Sequence, residues 1–224
     1  MDLNDKDFRY ERKFVVPYLD KKEAEAVVRE NTYLFNEIFY ERQVNNIYFD
    51  SLDMVSYFDN VLGNSDRMKI RIRWYGNFNE VVNPILELKI KRGEVGTKLS
   101  FPLKKFSFPL GMDEMQEVFA ESDLPDWLLE RLKTQRFALL NYYTRKYFLS
   151  ACKRFRITID SNLTYGEVLN QYDLSLVKAA KDDHCVLELK YYIDKKASDV
   201  STQFPFRMTK SSKYVSGVTH FRGE

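Results

Sequence analysis

Charged and apolar residues alternate strictly in four stretches of the chain. These stretches are 69–73, 86–91, 154–160 and 187–190. Because successive side chains of a β-strand point to opposite faces, Lys69, Arg71 and Arg73 share one face of a predicted strand, and Ile70 and Ile72 share the other. The pattern predicts a sheet with a row of cations on one face and apolar side chains on the other.

Similar alternation elsewhere brings the number of predicted strands to eight. They span residues 8–16, 45–50, 68–75, 85–92, 95–101, 141–149, 153–160 and 185–192. Apolar residues at helical spacing predict helices over 21–31, within 113–140 and in the tail after residue 198. The segment 161–183 is predicted to be an irregular excursion.

Length and composition favour one globular domain. The chain has 224 residues, of which 44% are hydrophobic and 15% aromatic, so it has ample material for a core. No apolar run approaches the roughly 18 residues that a membrane span requires, and the first residues lack the features of a secretory signal. We therefore expect a single cytoplasmic domain over residues 1–224 with no membrane segment.

The net charge of +2 conceals a sorted distribution. One face of the eight predicted strands carries twelve bases and five acids, and the rest of the chain carries 23 bases and 28 acids. The bases are Arg9, Lys13, Lys69, Arg71, Arg73, Lys89, Lys91, Lys98, Arg145, Arg154, Arg156 and Lys190, and the acids are Glu11, Asp50, Glu87, Asp160 and Glu188. Like charges on neighbouring strands repel one another, so exposure to solvent does not explain this sorting.

An inverted barrel does explain the sorting. Closing an antiparallel sheet removes its edges, and helices can then cover an apolar exterior. The predicted fold class is therefore α+β: a closed antiparallel eight-stranded β-barrel with its charged face inside and helices packed on the outside.

A concave cavity lined by cations favours polyanions, since arginine matches phosphate oxygens bidentately and lysine acts as a point charge. The acids on the same face either neutralise adjacent bases, or one or two of them bind Mg²⁺ or Mn²⁺. Glu188 is the favoured metal ligand because it stands between Leu187 and Leu189, with Lys190 on its own face. Taken alone, the alternation indicates only a binder of linear phosphate anions.

Several other classes of protein are disfavoured. Cys152 and Cys185 lack metal-ligand spacing and are predicted to be reduced, packed thiols. Neither His184 nor His220 stands beside a plausible nucleophile, which argues against a Ser-His-Asp or Cys-His enzyme. RNA binding is a common function of a basic patch. Here, however, the aromatic residues alternate onto the apolar side of the strands, where they could not stack on bases. We therefore expect no nucleic-acid partner.

Eight short motifs together carry a resemblance to a known family. In chain order they are Tyr10-Glu11-Arg12-Lys13-Phe14, Asn46-Ile47-Tyr48-Phe49-Asp50, Lys69-Ile70-Arg71-Ile72-Arg73-Trp74-Tyr75-Gly76, Leu86-Glu87-Leu88-Lys89, Tyr143-Thr144-Arg145, Arg154-Phe155-Arg156-Ile157-Thr158-Ile159-Asp160, Leu187-Glu188-Leu189-Lys190 and Lys210-Ser211-Ser212-Lys213-Tyr214. Each is weak alone, but in this order the chain resembles the VTC family of the CYTH-like triphosphate tunnel superfamily. That family comprises the polyphosphate polymerase domain of the vacuolar transporter chaperone complex and its bacterial relatives.

The resemblance implies ATP-dependent polyphosphate synthesis with Mn²⁺ or Mg²⁺, with ATP and inorganic polyphosphate as ligands. The residues that match the family's triphosphate-gripping bases are Lys13, Arg71, Arg73, Lys89, Arg145, Arg156 and Lys210. Those that match its flanking contacts are Tyr143, Ser211, Ser212 and Lys213, and Glu188 matches its metal-binding acid. To the substrate-binding set the charged strand face adds Glu11, Lys69, Lys91, Lys98, Arg154 and Lys190. Transmembrane and phosphate-sensing modules found elsewhere in the family are not in this sequence, which leaves room for an unidentified membrane or regulatory partner.

One departure bears on the reaction. Triphosphatases of the wider superfamily begin with Glu-x-Glu-x-Lys, whereas this chain has Arg9 at the position of the first acid, before Glu11 and Lys13. Loss of that acid should weaken the binding of a metal that activates water, so transfer is favoured over hydrolysis. Two alternatives stay open: a hydrolase of tripolyphosphate or nucleoside triphosphates, and a non-catalytic polyphosphate-binding module.

Overall fold

The computed structural model describes residues 8–192 and 196–223, apart from the side chain of Leu176. In this part of the chain there are nine strands and six helices. The strands are β1 (Arg9–Val16), β2 (Asn36–Asp50), β3 (Asp66–Tyr75), β4 (Ile85–Arg92), β5 (Val95–Pro102), β6 (Arg136–Leu149), β7 (Arg156–Asn170), β8 (Asp173–Asp182) and β9 (Cys185–Tyr191). The helices are α1 (Lys21–Glu30), α2 (Val55–Val61), α3 (Met112–Glu121), α4 (Asp126–Leu132), α5 (Ala197–Thr202) and α6 (Lys213–Arg222).

All strand pairings are antiparallel, in the order β6-β2-β3-β4-β5-β1-β9-β7-β8, and β6 pairs again with β7. Eight strands therefore surround a tunnel-like space, and β8 extends the edge of β7 beyond β9. The ring is uneven, because β1 and β5 share only the register pairs Arg9↔Gly96 and Tyr10↔Val95. Beyond that point the C-terminal tail takes the edge of β1: Phe14 bridges to Met208, and the Thr209 amide donates to the Lys13 carbonyl over 2.8 Å.

The expected antiparallel sheet with helices on its apolar face is confirmed. The expected closed eight-stranded barrel is not confirmed, because the ring is uneven where β1 meets β5. The segment 161–183, predicted to be irregular, forms most of β7 and all of β8. Leu163 and Tyr165 in it are buried, and the register of β8 on β7 begins at Leu163↔Asp182. Cross-strand pairing, rather than a period in the sequence, makes this segment extended.

The outer faces of the strands carry two apolar cores, each covered by helices. Ile70, Ile72 and Trp74 of β3 pack with Met115 of α3 and Leu128 of α4. On the other side of the ring, β7 and β9 pack against α1 and α5. Helix α1 begins at a capping box, in which Asp20 accepts from the Glu23 amide and Glu23 from the Asp20 amide. The helices thus bury the apolar, outward-facing side chains of the strands.

Helix α6 packs against inner-face side chains and covers one end of the ring. The Tyr214 ring stacks on that of Tyr48 at 5.1 Å between centroids. An added Cβ at Gly217 would lie 2.5 Å from Leu139 and 2.7 Å from Tyr165, so only glycine allows this approach. Within the described residues, no helix has both the length and the apolar character that crossing a bilayer demands.

Candidate active site

The inner face of the ring holds charged side chains that are largely withdrawn from solvent. Arg71 is 5% exposed, Arg73 7% and Arg145 6%, whereas most arginines of folded proteins lie at the surface. These residues belong to β3 and β6, whose opposite faces are covered by apolar packing. A buried charge is tolerated only when it is paired, and the pairs form two clusters.

The first cluster surrounds Glu87 of β4. The Arg71 guanidinium donates to its carboxylate from Nε over 2.8 Å and from Nη2, Lys98 donates to the other carboxylate oxygen, and Arg73 Nη1 lies 3.6 Å away. Burial alone would raise the pKa of Glu87, but these cations hold it far below its usual range. Glu87 is therefore an anion that fixes the Arg71 fork.

A chain of polar side chains continues from Arg73. Its Nε donates to Asn46 Oδ1 over 3.1 Å, its Nη2 donates to the Tyr143 hydroxyl over 3.2 Å, and Asn46 donates to Asn141 Oδ1 over 2.8 Å. The Asn141 amide nitrogen is buried and has no hydrogen-bond partner among the described residues, and the same is true of the Thr158 hydroxyl. Buried groups of this kind can donate a hydrogen bond to a ligand oxygen.

The second cluster surrounds Asp160 of β7 and Glu188 of β9. Arg145 and Lys213 both contact Asp160. Four bases lie within ion-pair distance of Glu188: Lys190 at 3.0 Å, Lys213 and Arg145 at 3.3 Å, and Lys13 at 3.7 Å. Burial opposes ionisation of both acids, yet the neighbouring cations hold the pKa of each below its ordinary value. Burial would likewise lower the pKa of Lys213, but Asp160 and Glu188 raise it.

Glu11 and Glu188 are two inner-face carboxylates that share cationic partners. Lys13 Nζ lies 3.0 Å from Glu11, Lys190 Nζ lies 3.7 Å from it, and both lysines also contact Glu188. No group of three or more histidine, cysteine or acidic side chains that could enclose a metal occurs in residues 8–192 and 196–223. Mg²⁺ commonly uses one or two carboxylates plus substrate phosphates, and these two acids fit that mode of binding.

Two lysines of the inner face have no carboxylate within ion-pair distance in the part of the chain that the structure describes. Lys69 donates to the Ser212 hydroxyl over 2.6 Å, and its pKa is lowered by burial and by Lys13 and Lys89. Burial lowers the pKa of Lys89 to about 7. The positive charges of Arg71 and Lys13 also lower this pKa, whereas the negative charge of Glu11 raises it. A bound polyanion would stabilise the charged form of both lysines.

The C-terminal tail supplies part of this site. The Ser211 carbonyl accepts from Lys13 Nζ over 2.8 Å, and Ser212 caps α6 by accepting from the Val215 amide over 3.4 Å. Lys213 is the first residue of α6 and is 7% exposed. The tail thus adds one buried cation, Lys213, to the second cluster.

The structure brings most of the predicted site residues together, but not all. Those whose side chains or backbone join the inner-face contacts are Glu11, Lys13, Lys69, Arg71, Arg73, Lys89, Lys98, Tyr143, Arg145, Glu188, Lys190, Ser211, Ser212 and Lys213. Lys91 instead donates to the Glu94 carbonyl over 2.8 Å, at the turn between β4 and β5. Arg154, Arg156 and Lys210 are exposed, so they could contact a phosphate only at the edge of the ring and not inside it.

Sequence reasoning missed Asn46, Asn141 and Thr158 as site residues because an uncharged side chain gives no charge signal. Their strand parity was the available clue, since Asn46 and Asn141 are register partners on the inner face. Asp160 and Glu87 were recognised on the charged face but were not assigned to the site.

Together, the ring and its buried cations define a protein with a tunnel-like antiparallel fold and a cationic interior. The VTC domain family model matches residues 8–222, and the chain therefore belongs to the VTC domain family. No curated protein sequence matches this chain.

Solved structures of two other proteins are similar in fold. One is a putative adenylyl cyclase from Hippeastrum, described as having a dominant triphosphatase activity, with a TM-score of 0.56, 10% identity and coverage of 97% of this chain and 96% of that one. The other is a putative adenylate cyclase from Vibrio parahaemolyticus, with a TM-score of 0.50, 12% identity and coverage of 91% and 94%. At these identities the likeness concerns the fold alone.

Proposed function

We propose that this protein is a polyphosphate polymerase, which transfers the terminal phosphate of ATP to a growing inorganic polyphosphate chain and releases ADP. The observation that carries the proposal is the convergence of Lys13, Arg145 and Lys213, from β1, β6 and α6, on two buried acids next to unpaired lysines. Membership of the VTC domain family supports the same substrate class. A cytoplasmic location and a single domain remain predictions.

Phosphoryl transfer needs positioning and charge stabilisation more than a covalent nucleophile. A terminal oxygen of the polyphosphate chain attacks the γ-phosphorus of ATP, and the bond from that phosphorus to the β,γ-bridging oxygen breaks. The bridging oxygen leaves as part of ADP, so charge builds up on it and spreads over the equatorial oxygens. Arg71, Arg73 and Lys89 would stabilise that charge from β3 and β4, where the surrounding protein excludes water.

A divalent cation, which the family resemblance implies, would be held by Glu188 together with Glu11. It would supply charge neutralisation of the phosphates. For this the two acids must exchange lysine contacts for the cation, which is feasible because Lys13 and Lys190 can turn to the incoming phosphates. The remaining predicted contacts, from Tyr143, Ser211, Ser212 and Lys213, would align the chain within the ring.

A product assay tests this proposal. Purified protein incubated with ATP, Mn²⁺ and a short polyphosphate primer is expected to release one ADP for each phosphate unit added to the chain. The matched incubation omits ATP but keeps the primer, and should give no chain growth. ADP without polyphosphate would refute the polymerase.

One observation favours hydrolysis as a second candidate. The Hippeastrum protein of similar fold is described as a triphosphatase. Against it, the first acid of the hydrolase motif is replaced by Arg9, whose guanidinium lies 5.8 Å from the centre of the Tyr192 ring. Release of free phosphate without chain growth in the same assay would support the hydrolase.

A further inference from the structure

Arg42 of β2 lies in an aromatic cage at the end of the inner face remote from α6. Its guanidinium carbon is 4.3 Å from the ring centre of Tyr75, 4.6 Å from that of Phe39 and 4.9 Å from that of Tyr147. Arg42 stands six residues before Tyr48, against which α6 packs, or roughly 20 Å along an extended strand. Neither the family motifs nor the predicted strands included this residue.

The register places the cage on the tunnel side of the sheet. Arg42 is the register partner of Arg145, and Tyr147 follows Arg145 by two residues on β6. Tyr75 follows Arg73 by two residues on β3, so both tyrosines share the face of the buried arginines. An irregularity in the pairing between Phe39 and Arg42 allows Phe39 to join the same face.

Arg42 keeps an uncompensated charge. Arg71 and Arg145 each contact a buried carboxylate, whereas Arg42 forms no ion pair with any carboxylate of the described residues. Its Nε is buried and has no hydrogen-bond partner. The rings stabilise the cation, but they do not neutralise it.

A second unsatisfied donor lies beside the cage. Thr158 is the register partner of Tyr147 and is 2% exposed, and its hydroxyl has no partner among the described residues. Because the rings surround the guanidinium, a ligand reaches Arg42 through its N–H edge. The N–H edge of a guanidinium matches the oxygens of carboxylates and phosphates, and phosphate is the anion that the proposed function supplies.

We propose that Arg42, assisted by Thr158, is a subsite for an additional phosphate group of a linear chain, beyond the three phosphates held by the central clusters. The inference rests on the proposed function for its ligand class and deepens it, because it makes the protein prefer longer polyphosphate over tripolyphosphate. The step from Arg145 to Arg42 is a single cross-strand neighbour distance, so one chain can contact both.

Affinity measurements without turnover test this subsite. We would titrate wild-type protein, Arg42→Gln and Arg29→Gln with tripolyphosphate and with a longer linear polyphosphate. Arg29 is the matched control: it lies 5.3 Å from the centre of the Phe148 ring, on the outer side of β6, and pairs with Glu37 at 3.2 Å. Both variants remove one positive charge that lies over aromatic rings: Arg42 contacts three rings and Arg29 contacts one.

We expect Arg42→Gln to weaken binding of the longer chain by about tenfold, the usual scale for one charge-assisted contact, and that of tripolyphosphate by less than about twofold. Arg29→Gln should change both by less than about twofold. Equal losses for the two ligands, or an Arg42→Gln protein that matches Arg29→Gln, would overturn the subsite. If Arg42→Gln does not fold, Arg42→Lys carries the test, because it keeps the charge and loses the fork; its loss should also be confined to the longer chain.

The binding measurements distinguish failure of the Arg42 subsite from failure of the proposed function. Wild-type protein that binds tripolyphosphate but gains no affinity for the longer chain would overturn the subsite alone. Wild-type protein that binds neither anion would overturn the proposed function together with it.

Discussion

Glu188→Gln is expected to lower the rate of polyphosphate synthesis by at least about a hundredfold while leaving tripolyphosphate affinity equal or stronger. The carboxylate lies among Lys13, Arg145, Lys190 and Lys213, so its removal makes the site more positive. If Glu188 holds the divalent cation, turnover falls although the anion still binds. Rates and affinities measured on the same preparations separate a catalytic site from a module that only binds.

The matched control is Glu37→Gln. Glu37 also contacts two bases, Arg29 at 3.2 Å and Lys146 at 3.8 Å, and the Arg29 contact lies on the outer side of the sheet. It should change neither the rate nor the affinity. A Glu188→Gln protein with wild-type turnover would reduce Glu188 to a neutralising partner of the lysines, and the proposed metal site would be lost.

Asp160→Asn is expected to lower the free energy of unfolding by about 3–5 kcal/mol, the usual effect of breaking a buried ion pair. Asp160 is fully buried and contacts Arg145 and Lys213, so the amide leaves two cations poorly compensated. Denaturant unfolding measures the loss. Asp123→Asn, an exposed acid in the loop before α4, should stay within about 0.5 kcal/mol of wild type.

Tripolyphosphate should restore much of the stability lost in Asp160→Asn. Any ligand that binds only the folded state stabilises it, by about 2.7 kcal/mol at a hundred times its Kd. Removal of an acid from a cationic site tightens anion binding, so the variant should gain more than wild type at equal ligand concentration. An unstable variant that tripolyphosphate does not rescue would show that these cations do not meet the anion.

The strand period predicted which residues share the inner face, but not how deep each one lies. Lys13, Arg71 and Arg73 were found because a period of two sorts side chains between faces wherever one face is buried. The same parity selected Arg156, which is exposed at the start of β7. Depth depends on strand length and stagger around the ring, which alternation does not encode.

The C-terminal tail and β2 contain site residues that the sequence pattern does not distinguish from their neighbours. Lys210 and Lys213 are three residues apart, yet only Lys213 is buried, because α6 begins there and turns it inward. The sequence does not predict a strand at Arg42, because charged and apolar residues do not alternate over 36–42. These residues are extended because they pair with β6. Both cases depend on tertiary contacts that a single sequence does not reveal.

In the proposed function, side chains from separate strands enclose a linear phosphate inside the ring. A crystal structure with bound tripolyphosphate tests this arrangement most directly. We expect phosphate oxygens within about 3 Å of the Lys69, Lys89 and Arg71 side-chain nitrogens. Tripolyphosphate bound only on the outer surface, with these three side chains untouched, would contradict the account.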